Sequence, residues 1–265
     1  MLTLKLVDKA GTIIAQRSHE EETYLAFKTR EYQAGDKIIL ESDAINRFVW
    51  IQVDEALPVS LIYLTTHQWE FPVIMDSELR RAYSPKIFSG ERHYLRAFLP
   101  QDFEVNNYRN LALNPHDQKK ESGAYPHAYA NVETRNDSTF FARNAIDGMI
   151  ANESHGSFPF QSWGINQQAD AQLTIDFGRE IMTDQLVLVL RGDYPHDSYW
   201  EQITVEFSDG EEQLIKPNNS LFRQAFPFPV KKTRSITLKQ LIKHQDESPF
   251  PALTEVEVYG YDSKK

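Results

Sequence analysis

Short apolar runs separated by turn residues recur along the chain, and this pattern constrains its fold most strongly. The first hundred residues contain LTLKLVD, GTIIAQR, TYLAFKT, KIILESD, RFVWIQVD, VSLIYLTT and HYLRAFL. These runs are rich in Val, Ile, Tyr and Phe, and their length and spacing are typical of strands in an antiparallel sandwich. Turn-forming stretches such as DKAG and QAGD connect them. We therefore predict an N-terminal β-sandwich domain over residues 1–103, whose role the sequence does not reveal.

A second set of strands follows the polar stretch LPQDFEVNNYRNLALN, which predicts a domain boundary after residue 103. The apolar residues Leu173, Ile175 and Phe177 alternate in LTIDFG, so we expect them to face a core. QLVLVLRG is continuously apolar, which is typical of a central strand covered on both faces. Helical signals are sparse and limited to DSELRRAY and STFFARNAIDG. The predicted fold class is therefore all-β, with two sandwich domains, 1–103 and 104–265.

Composition excludes several classes of function. The chain has no cysteine, so disulfides, thiolate nucleophiles and cysteine-based zinc sites are excluded. A net charge of −10 without a Lys/Arg cluster argues against a nucleic-acid partner, which requires a concentrated positive field. No run approaches the roughly 18 apolar residues of a membrane helix, and the N-terminus lacks a signal-peptide pattern. We expect a cytoplasmic protein with no membrane partner.

Six motifs of the second half occur in a familiar order: NLALN, FARNAIDG, SWG, LTIDFGREIMTDQLVLVLRG, ITVEFSDG and LTEVEVYG. In this order the chain resembles the discoidin or coagulation-factor type C family. These are galactose-binding-like jelly rolls and include many carbohydrate-binding modules. The resemblance covers roughly residues 106–262. It implies that the second domain is a galactose-binding-like jelly roll, and that Trp163 packs in its core.

The resemblance also implies a sugar site in loops at one end of the sandwich. The corresponding loops here are Asn144–Gly164 and Arg191–Trp200. Sugar recognition uses a flat ring for stacking together with planar or forked hydrogen-bonding groups. We expect Trp200 or Tyr194 to supply the stacking face and Arg191 the forked donor. The full set of predicted ligand-binding residues is His155, Phe158, Arg191, Tyr194, His196 and Trp200. Two alternatives stay open: Phe158 caps the barrel, or Arg191 forms an ion pair with Asp193 or Asp197.

A structural calcium ion is the cofactor that the resemblance implies. Asp147 and Glu255 match two of the family's ligand positions, whereas Met149 stands where a second Asp is usual. Calcium takes six to eight oxygen ligands, so the amide oxygen of Asn152 is a suitable third side-chain ligand and the Met149 thioether is not. In the alternative interpretation, Asp147 forms a local turn and Glu255 is solvated.

The preferred interpretation is a noncatalytic carbohydrate-binding protein, with two alternatives from other classes. The first is a sugar-active enzyme resembling glycoside hydrolases, with a site between the domains; its carboxylates would come from Asp76, Glu78, Asp193 and Asp197. No established catalytic motif supports it. The second is a protein-interaction or homo-oligomerisation module that exposes the aromatic stretch FRQAFPFPV, Phe222 to Val230.

Overall fold

The computed structural model describes residues 1–156 and 158–262, and strands dominate it, which confirms the all-β prediction. The elements of the first part are β1 (Leu2–Val7), β2 (Ile13–His19), β3 (Glu22–Phe27), β4 (Lys37–Ser42), β5 (Arg47–Gln52), β6 (Ser60–Leu64), β7 (Gln68–Pro72), α1 (Ser77–Arg80), β8 (His93–Phe98) and α2 (Asp102–Asn106). The elements of the second part are β9 (Arg109–Asn110), β10 (Ala124–Tyr125), β11 (His127–Ala130), β12 (Trp163–Gly164), β13 (Leu173–Leu190), β14 (Trp200–Phe207), β15 (Glu212–Ile215), β16 (Gln224–Lys243) and β17 (Ala252–Asp262).

Two antiparallel sheets build the first part. One has the order β2-β1-β4-β7 and the other has the order β10-β6-β5-β8-β3. Their inward side chains form one hydrophobic cluster, in which Leu4 and Trp69 come from the first sheet and Ile51 and Leu95 from the second. This arrangement is a sandwich, as the sequence predicts. The structure also contains β7, in the stretch QWEFP, where the sequence pattern predicts no strand.

The second part is organised around the long strand β13. Its sheet has the order β12-β17-β13-β16-β14-β15, with β11 added to β13 and β9 to β17. Residues Leu173 to Asp176 pair with β11 and β16, whereas residues Ile181 to Leu190 pair with β17 and β16. The change of partner follows Gly178, whose φ of +65° suits glycine. The two halves of β13 therefore belong to different parts of the wall around one core.

Burial along β13 matches the sequence prediction. Leu173, Ile175 and Phe177 are buried in alternation with half-exposed residues. The last five residues, 186–190, are all buried, as expected for a central strand covered on both faces. The hydrophobic cluster that they join also contains Trp163, which confirms its expected place in the core.

Helices are few and short in the described residues. DSELRRAY forms α1, in which the side chain of Asp76 accepts hydrogen bonds from the backbone of Glu78 and Leu79 and caps the helix. STFFARNAIDG forms two 3₁₀ turns, Ser138–Phe140 and Ala142–Ile146, rather than the expected α-helix. No helix in the part of the chain that the structure describes is long and apolar enough to span a membrane.

The segment after the expected boundary packs against the first part of the chain. β10 pairs with β6, and the indole Nε1 of Trp69 donates to Ser122 Oγ at 3.2 Å. His116 is fully buried there; its Nε2 accepts from the Val53 amide at 3.3 Å, and its Nδ1 lies 2.7 Å from Ser60 Oγ. Burial lowers the pKa of His116 to about 3, so the ring is neutral at pH 7. Residues 114–125 therefore tie the second part to the first.

Candidate functional site

A cavity of about 250 Å³ lies among the loops that lead into β12, β14 and β17. His155 and His196, which belong to the two predicted ligand loops, both line it. Both loops named in the sequence analysis thus contribute to this cavity. Other lining residues lie outside these two loops: Thr134, Arg135, Phe140, Ile165, Asn166 and Phe250.

The two histidine rings stack on each other at the cavity wall. Their centroids are 5.2 Å apart and their planes differ by 10°. The ring of His196 also packs against Phe140 and Phe250, at centroid distances of 5.5 and 6.2 Å. The phenyl rings are thus part of an aromatic cluster rather than isolated core residues. An apolar wall beside imidazole nitrogens suits a ligand that has both an apolar face and hydroxyl groups.

The protonation state of His196 follows from its partners. Its Nδ1 lies 2.9 Å from the carbonyl oxygen of Phe250. Because a carbonyl only accepts, Nδ1 carries the hydrogen and Nε2 is left as an acceptor. Burial and the nearby charge of Arg191 lower the pKa of His196, which keeps the ring neutral. His196 can therefore accept a hydrogen bond from a ligand hydroxyl.

His155 is the more accessible ring of the pair. Its side chain is 58% exposed, and its Nδ1 lies 3.1 Å from Asp193 Oδ2. Since the carboxylate accepts, the contact fixes the Nδ1–H tautomer and leaves Nε2 for a ligand or for solvent. His155 thus keeps the role of donor or acceptor that the sequence suggests for it.

Arg191 holds the loops together and does not face the cavity. Its Nε and Nη2 donate to the two carboxylate oxygens of Asp193 at 2.6 and 3.1 Å, and its Nη2 also donates to the Ser154 carbonyl at 3.0 Å. Nη1 donates to Ser162 Oγ at 3.2 Å. The side chain is 1% exposed. The expected forked contact to a ligand is therefore wrong; the alternative pairing with Asp193 is correct, but the pair is buried.

Two predicted aromatic contacts are also wrong, one because of burial and the other because of its location. Trp200 is 1% exposed and belongs to the hydrophobic core, so its ring offers no face to a ligand. Phe158 lies in a separate small cleft, beside Tyr83 of the first part, and its amide donates to the Arg81 carbonyl at 2.7 Å. Tyr194 is 72% exposed and precedes Pro195 of the cavity lining. Of the two residues predicted to stack on a sugar, Trp200 and Tyr194, only Tyr194 therefore has an accessible ring.

The carboxyl groups of Asp147 and Glu255 are both buried near Gly148. The Gly148 amide donates to both oxygens of Glu255, at 3.2 and 3.1 Å, and Asp147 accepts from the Met149 amide at 2.8 Å. Burial raises the pKa of Asp147 to about 6, and burial together with the charge of Asp147 raises the pKa of Glu255 well above its usual value. Two carboxylates that disfavour each other's ionisation fit a bound cation.

Gln161 adds a third oxygen at this position. Its Nε2 donates to Asp147 Oδ2 at 2.9 Å, while its Oε1 is buried without a hydrogen-bond partner among the described residues. An unpaired amide oxygen on a side chain that contacts Asp147 is of the type that the all-oxygen ligand set of Ca²⁺ uses. If calcium binds here, Asp147, Glu255 and Gln161 are the side chains that would hold it, and its charge would compensate the two carboxylates. The interpretation of Glu255 as a solvated residue is wrong, because the residue is 1% exposed.

Asn152 has a different set of partners from the one expected of a calcium ligand. Its Nδ2 donates to the carbonyls of Leu190 and Leu221 at 2.7 and 2.9 Å, and its backbone carbonyl accepts from the Gly192 amide at 2.8 Å. These bonds fasten the loop to the end of β13. We therefore assign Asn152 to loop positioning, and Gln161 replaces it as the side-chain amide beside Asp147.

The carboxylates suspected of catalysis are engaged in other contacts. Asp76 caps α1, Asp193 is bonded to Arg191, and Asp197 accepts from Ser248 Oγ. Glu78 is exposed and forms an ion pair with Arg81 at 3.3 Å. Each of these groups thus has a structural partner of its own, whereas two-carboxylate glycoside hydrolysis requires a facing acid and base.

The aromatic stretch considered for oligomerisation is divided between core and surface. Phe226 packs against the hydrophobic cluster and Phe228 is buried, because alternate residues of β16 face the core. Phe222, just before that strand, is 82% exposed. The stretch therefore exposes less apolar surface than its sequence suggests.

Comparisons with known proteins find similarity in structure only. No protein-family model matches the chain, and no curated protein matches it. Solved structures that are similar to part of it include carbohydrate-binding modules. A chitosan-binding module from Paenibacillus sp. IK-5 is 16% identical with a TM-score of 0.40, and the match covers 57% of this chain and 98% of the module.

Two further modules are similar to this chain over a comparable length. A family 32 carbohydrate-binding module from C. perfringens NanJ, solved with galactose, is 18% identical with a TM-score of 0.39; the match covers 50% of this chain and 91% of the module. A fucose-binding module from Streptococcus pneumoniae is 18% identical with a TM-score of 0.40, and the match covers 58% of this chain and 98% of the module.

Proposed function

We propose that this protein binds a carbohydrate noncatalytically in the cavity beside His155 and His196. The observation that carries the proposal is the stacked imidazole pair in contact with Phe140 and Phe250 at a loop-built cavity. Phenyl rings can pack on the apolar face of a pyranose, and each imidazole leaves its Nε2 for a hydroxyl. The accessible ring of Tyr194 stands next to the lining residue Pro195 and is a further stacking group.

The size and the charge of the cavity support binding of a small neutral ligand. Its volume of about 250 Å³ is below the roughly 300–1,000 Å³ of pockets for drug-sized ligands. We therefore infer that it takes one terminal sugar rather than a long chain. Among the described lining residues none is Asp or Glu, and Arg135 is the charged one. A lining of this kind supplies hydrogen bonds but not the paired carboxylates of a glycoside hydrolase.

The test is a glycan array followed by calorimetric titration of the strongest hit. His155→Ala removes an exposed ring that lines the cavity, so we expect it to weaken binding about five- to 150-fold, corresponding to about 1–3 kcal/mol. His244→Ala is the matched control, because His244 is a partly exposed histidine that stacks on Tyr199 away from the cavity lining. Equal affinity of His155→Ala and wild type would place the site elsewhere, and turnover of the sugar would favour an enzyme.

We further propose that a calcium ion binds at Asp147, Glu255 and Gln161 and stabilises the fold. The support is the burial of both carboxylates and the unpaired Gln161 oxygen. The ion binds only the folded state, so it raises the melting temperature by mass action as its concentration increases. Identical melting curves in excess calcium and in excess chelator would remove this site from the account.

A further inference from the structure

A second cluster of ligand-type side chains lies in the first part of the chain, which has no assigned role. Asp54 and Glu55 follow β5, and His93 begins β8. One potential ligand atom from each of the three side chains lies within 4.8 Å of the other two. Asp54 and His93 are buried, while Glu55 is exposed. The Asp54 and His93 side of the cluster is therefore buried, and the Glu55 side is accessible to solvent.

The hydrogen bonds of His93 orient it as metal ligands are oriented. Its Nε2 lies 2.9 Å from the Arg30 carbonyl and 3.0 Å from the Gly90 carbonyl. Since both partners only accept, Nε2 carries the hydrogen and Nδ1 keeps its lone pair. A histidine that donates its other ring N–H to a backbone carbonyl is the usual arrangement at metal centres.

Asp54 is positioned by backbone amides and not by a cation. Its Oδ1 accepts from the Ala56 amide at 2.8 Å and its Oδ2 from the Phe88 amide at 3.0 Å. Phe88 has a φ of +52°, which is rare for a non-glycine residue, so the local backbone is shaped around this contact. Neither Asp54 nor Glu55 forms an ion pair with a Lys or Arg among the described residues.

An unpaired phenol supplies an independent indication of a ligand. Tyr32 is 3% exposed, and its hydroxyl has no hydrogen-bond partner among the described residues. Its ring lies 4.1 Å from the ring of His93. A buried hydroxyl without a partner is costly, and a bound ion would satisfy it.

We propose that Asp54, Glu55, His93 and the Tyr32 hydroxyl form a site for a divalent transition-metal ion such as Zn²⁺. Imidazole nitrogen together with carboxylate oxygen favours zinc and its neighbours over calcium or magnesium. Ligands bound to Zn²⁺ at about 2.1 Å in a tetrahedral site lie about 3.4 Å apart. The three ligand atoms here lie within 4.8 Å of one another, and the exposed Glu55 side chain can move closer to the other two. The ion would join the loop after β5 to the segment that leads into β8.

The experiment is a calorimetric titration of the chelator-treated full chain with ZnCl₂, in a His155→Ala background that removes the exposed histidine of the loop cavity. We expect one Zn²⁺ per chain. Glu55→Gln changes an exposed side chain and leaves the fold intact, yet it should weaken Zn²⁺ binding at least tenfold. Glu20→Gln, at another exposed glutamate, should bind like the background protein.

Tyr32→Phe gives a second test that does not depend on a charged residue. It removes only the unpaired hydroxyl, so the metal-free protein should melt at the same or a higher temperature while Zn²⁺ binding weakens. Unchanged Zn²⁺ affinity in both Glu55→Gln and Tyr32→Phe overturns the site. A titration with CaCl₂ in which Glu55→Gln loses affinity, while Zn²⁺ binding is unaffected, overturns the choice of metal.

Discussion

At the scale of single residues, the role of Arg191 illustrates what the sequence predicts and what it does not. An arginine can donate two hydrogen bonds to one carboxylate, and Arg191 makes a bidentate contact of this kind in the structure. Its partner is Asp193, two residues away, and the pair is buried. A sequence cannot show which of two neighbouring charged groups turns inward, because that depends on Ser154 and Ser162, which reach the guanidinium through the fold. Arg191 is thus a positioning residue for the loop that carries His155.

The first prediction compares a buried with an exposed arginine. Arg191→Ala leaves the carboxylate of Asp193 buried without its partner, so it should lower the free energy of unfolding by about 3–5 kcal/mol. Arg223→Ala removes an ion pair with Glu257 in which the arginine is 53% exposed and the glutamate 7% exposed. Because the Tyr259 hydroxyl still donates to Glu257 at 3.2 Å, the loss should be smaller than for Arg191→Ala. Urea denaturation measures both variants. Equal losses would mean that the Arg191 pair contributes no more than this half-exposed ion pair.

The second prediction concerns the pH dependence of calcium binding. In the folded protein Asp147 releases its proton near pH 6, whereas its ordinary pKa is 3.8. The folded state therefore binds the proton more tightly, and the metal-free protein loses stability as the pH rises from about 4 to above 6. The loss attributable to Asp147 is about 3 kcal/mol, because the two pKa values of 3.8 and about 6 differ in free energy by about 1.36 kcal/mol for each tenfold change in proton affinity.

At the proposed site calcium would bind the ionised carboxylates, so we expect it to stabilise the protein more at pH 7.5 than at pH 5. Asp147→Asn should reduce the difference, because Glu255 is then the one carboxyl group of the site that still releases a proton. Asp170→Asn is the control, since Asp170 is exposed. Thermal melting with and without calcium at both pH values measures the effect. A calcium shift that is equal at the two pH values would show that Asp147 does not bind the ion.

At the scale of elements, the strands were largely predictable and the loop–strand junctions were not. Alternation in LTIDFG gave the inward face of β13 because the period of a strand is two. Trp200 was assigned to a loop, but it is the first residue of β14, with its ring on the core face. Phe140 and Phe250 were missed because they come from distant segments that meet only in the fold. Their pairing with His196 has no local signal in the sequence.

The third prediction concerns the glycine at which β13 changes partners. A Cβ atom at Gly178 would lie 2.5 Å from Tyr125, and the φ of +65° disfavours other residues. Gly210 has a φ of +85° and open space around it. Gly210→Ala should therefore cost about 1–2 kcal/mol for its backbone alone, and Gly178→Ala should cost more. Chemical denaturation of the two variants compares them; equal losses would mean that the contact with Tyr125 relaxes freely.

At the scale of the whole molecule, two hydrophobic clusters are joined by the segment that contains His116. The sequence predicts an all-β chain with two sandwiches, and the division at residue 103 stays a prediction. What it could not predict is that residues 114–125 pack against β5 and β6. The buried, neutral imidazole of His116 contributes to that contact together with the β10–β6 pairing, and His116 has no distinguishing neighbour in the sequence.

The fourth prediction is that His116 couples the two parts of the chain. His116→Ala leaves Ser60 and the Val53 amide without their buried partner, which should cost about 1–3 kcal/mol. Amide hydrogen exchange should show protection falling in both β6 and β11. His19→Ala, at an exposed histidine, should leave both strands protected. Loss of protection confined to β6 would show that the two parts unfold independently of this contact.

The central claim is that a sugar binds beside His155 and His196, and imidazole nitrogen NMR tests it most directly. The eight histidines report from different places, and His116 and His127 are buried away from the cavity lining. During titration with a glycan-array hit, we predict that the Nε2 signals of His155 and His196 shift along one saturation curve, while those of His116 and His127 stay unchanged. Saturable binding that leaves His155 and His196 unshifted would contradict the account.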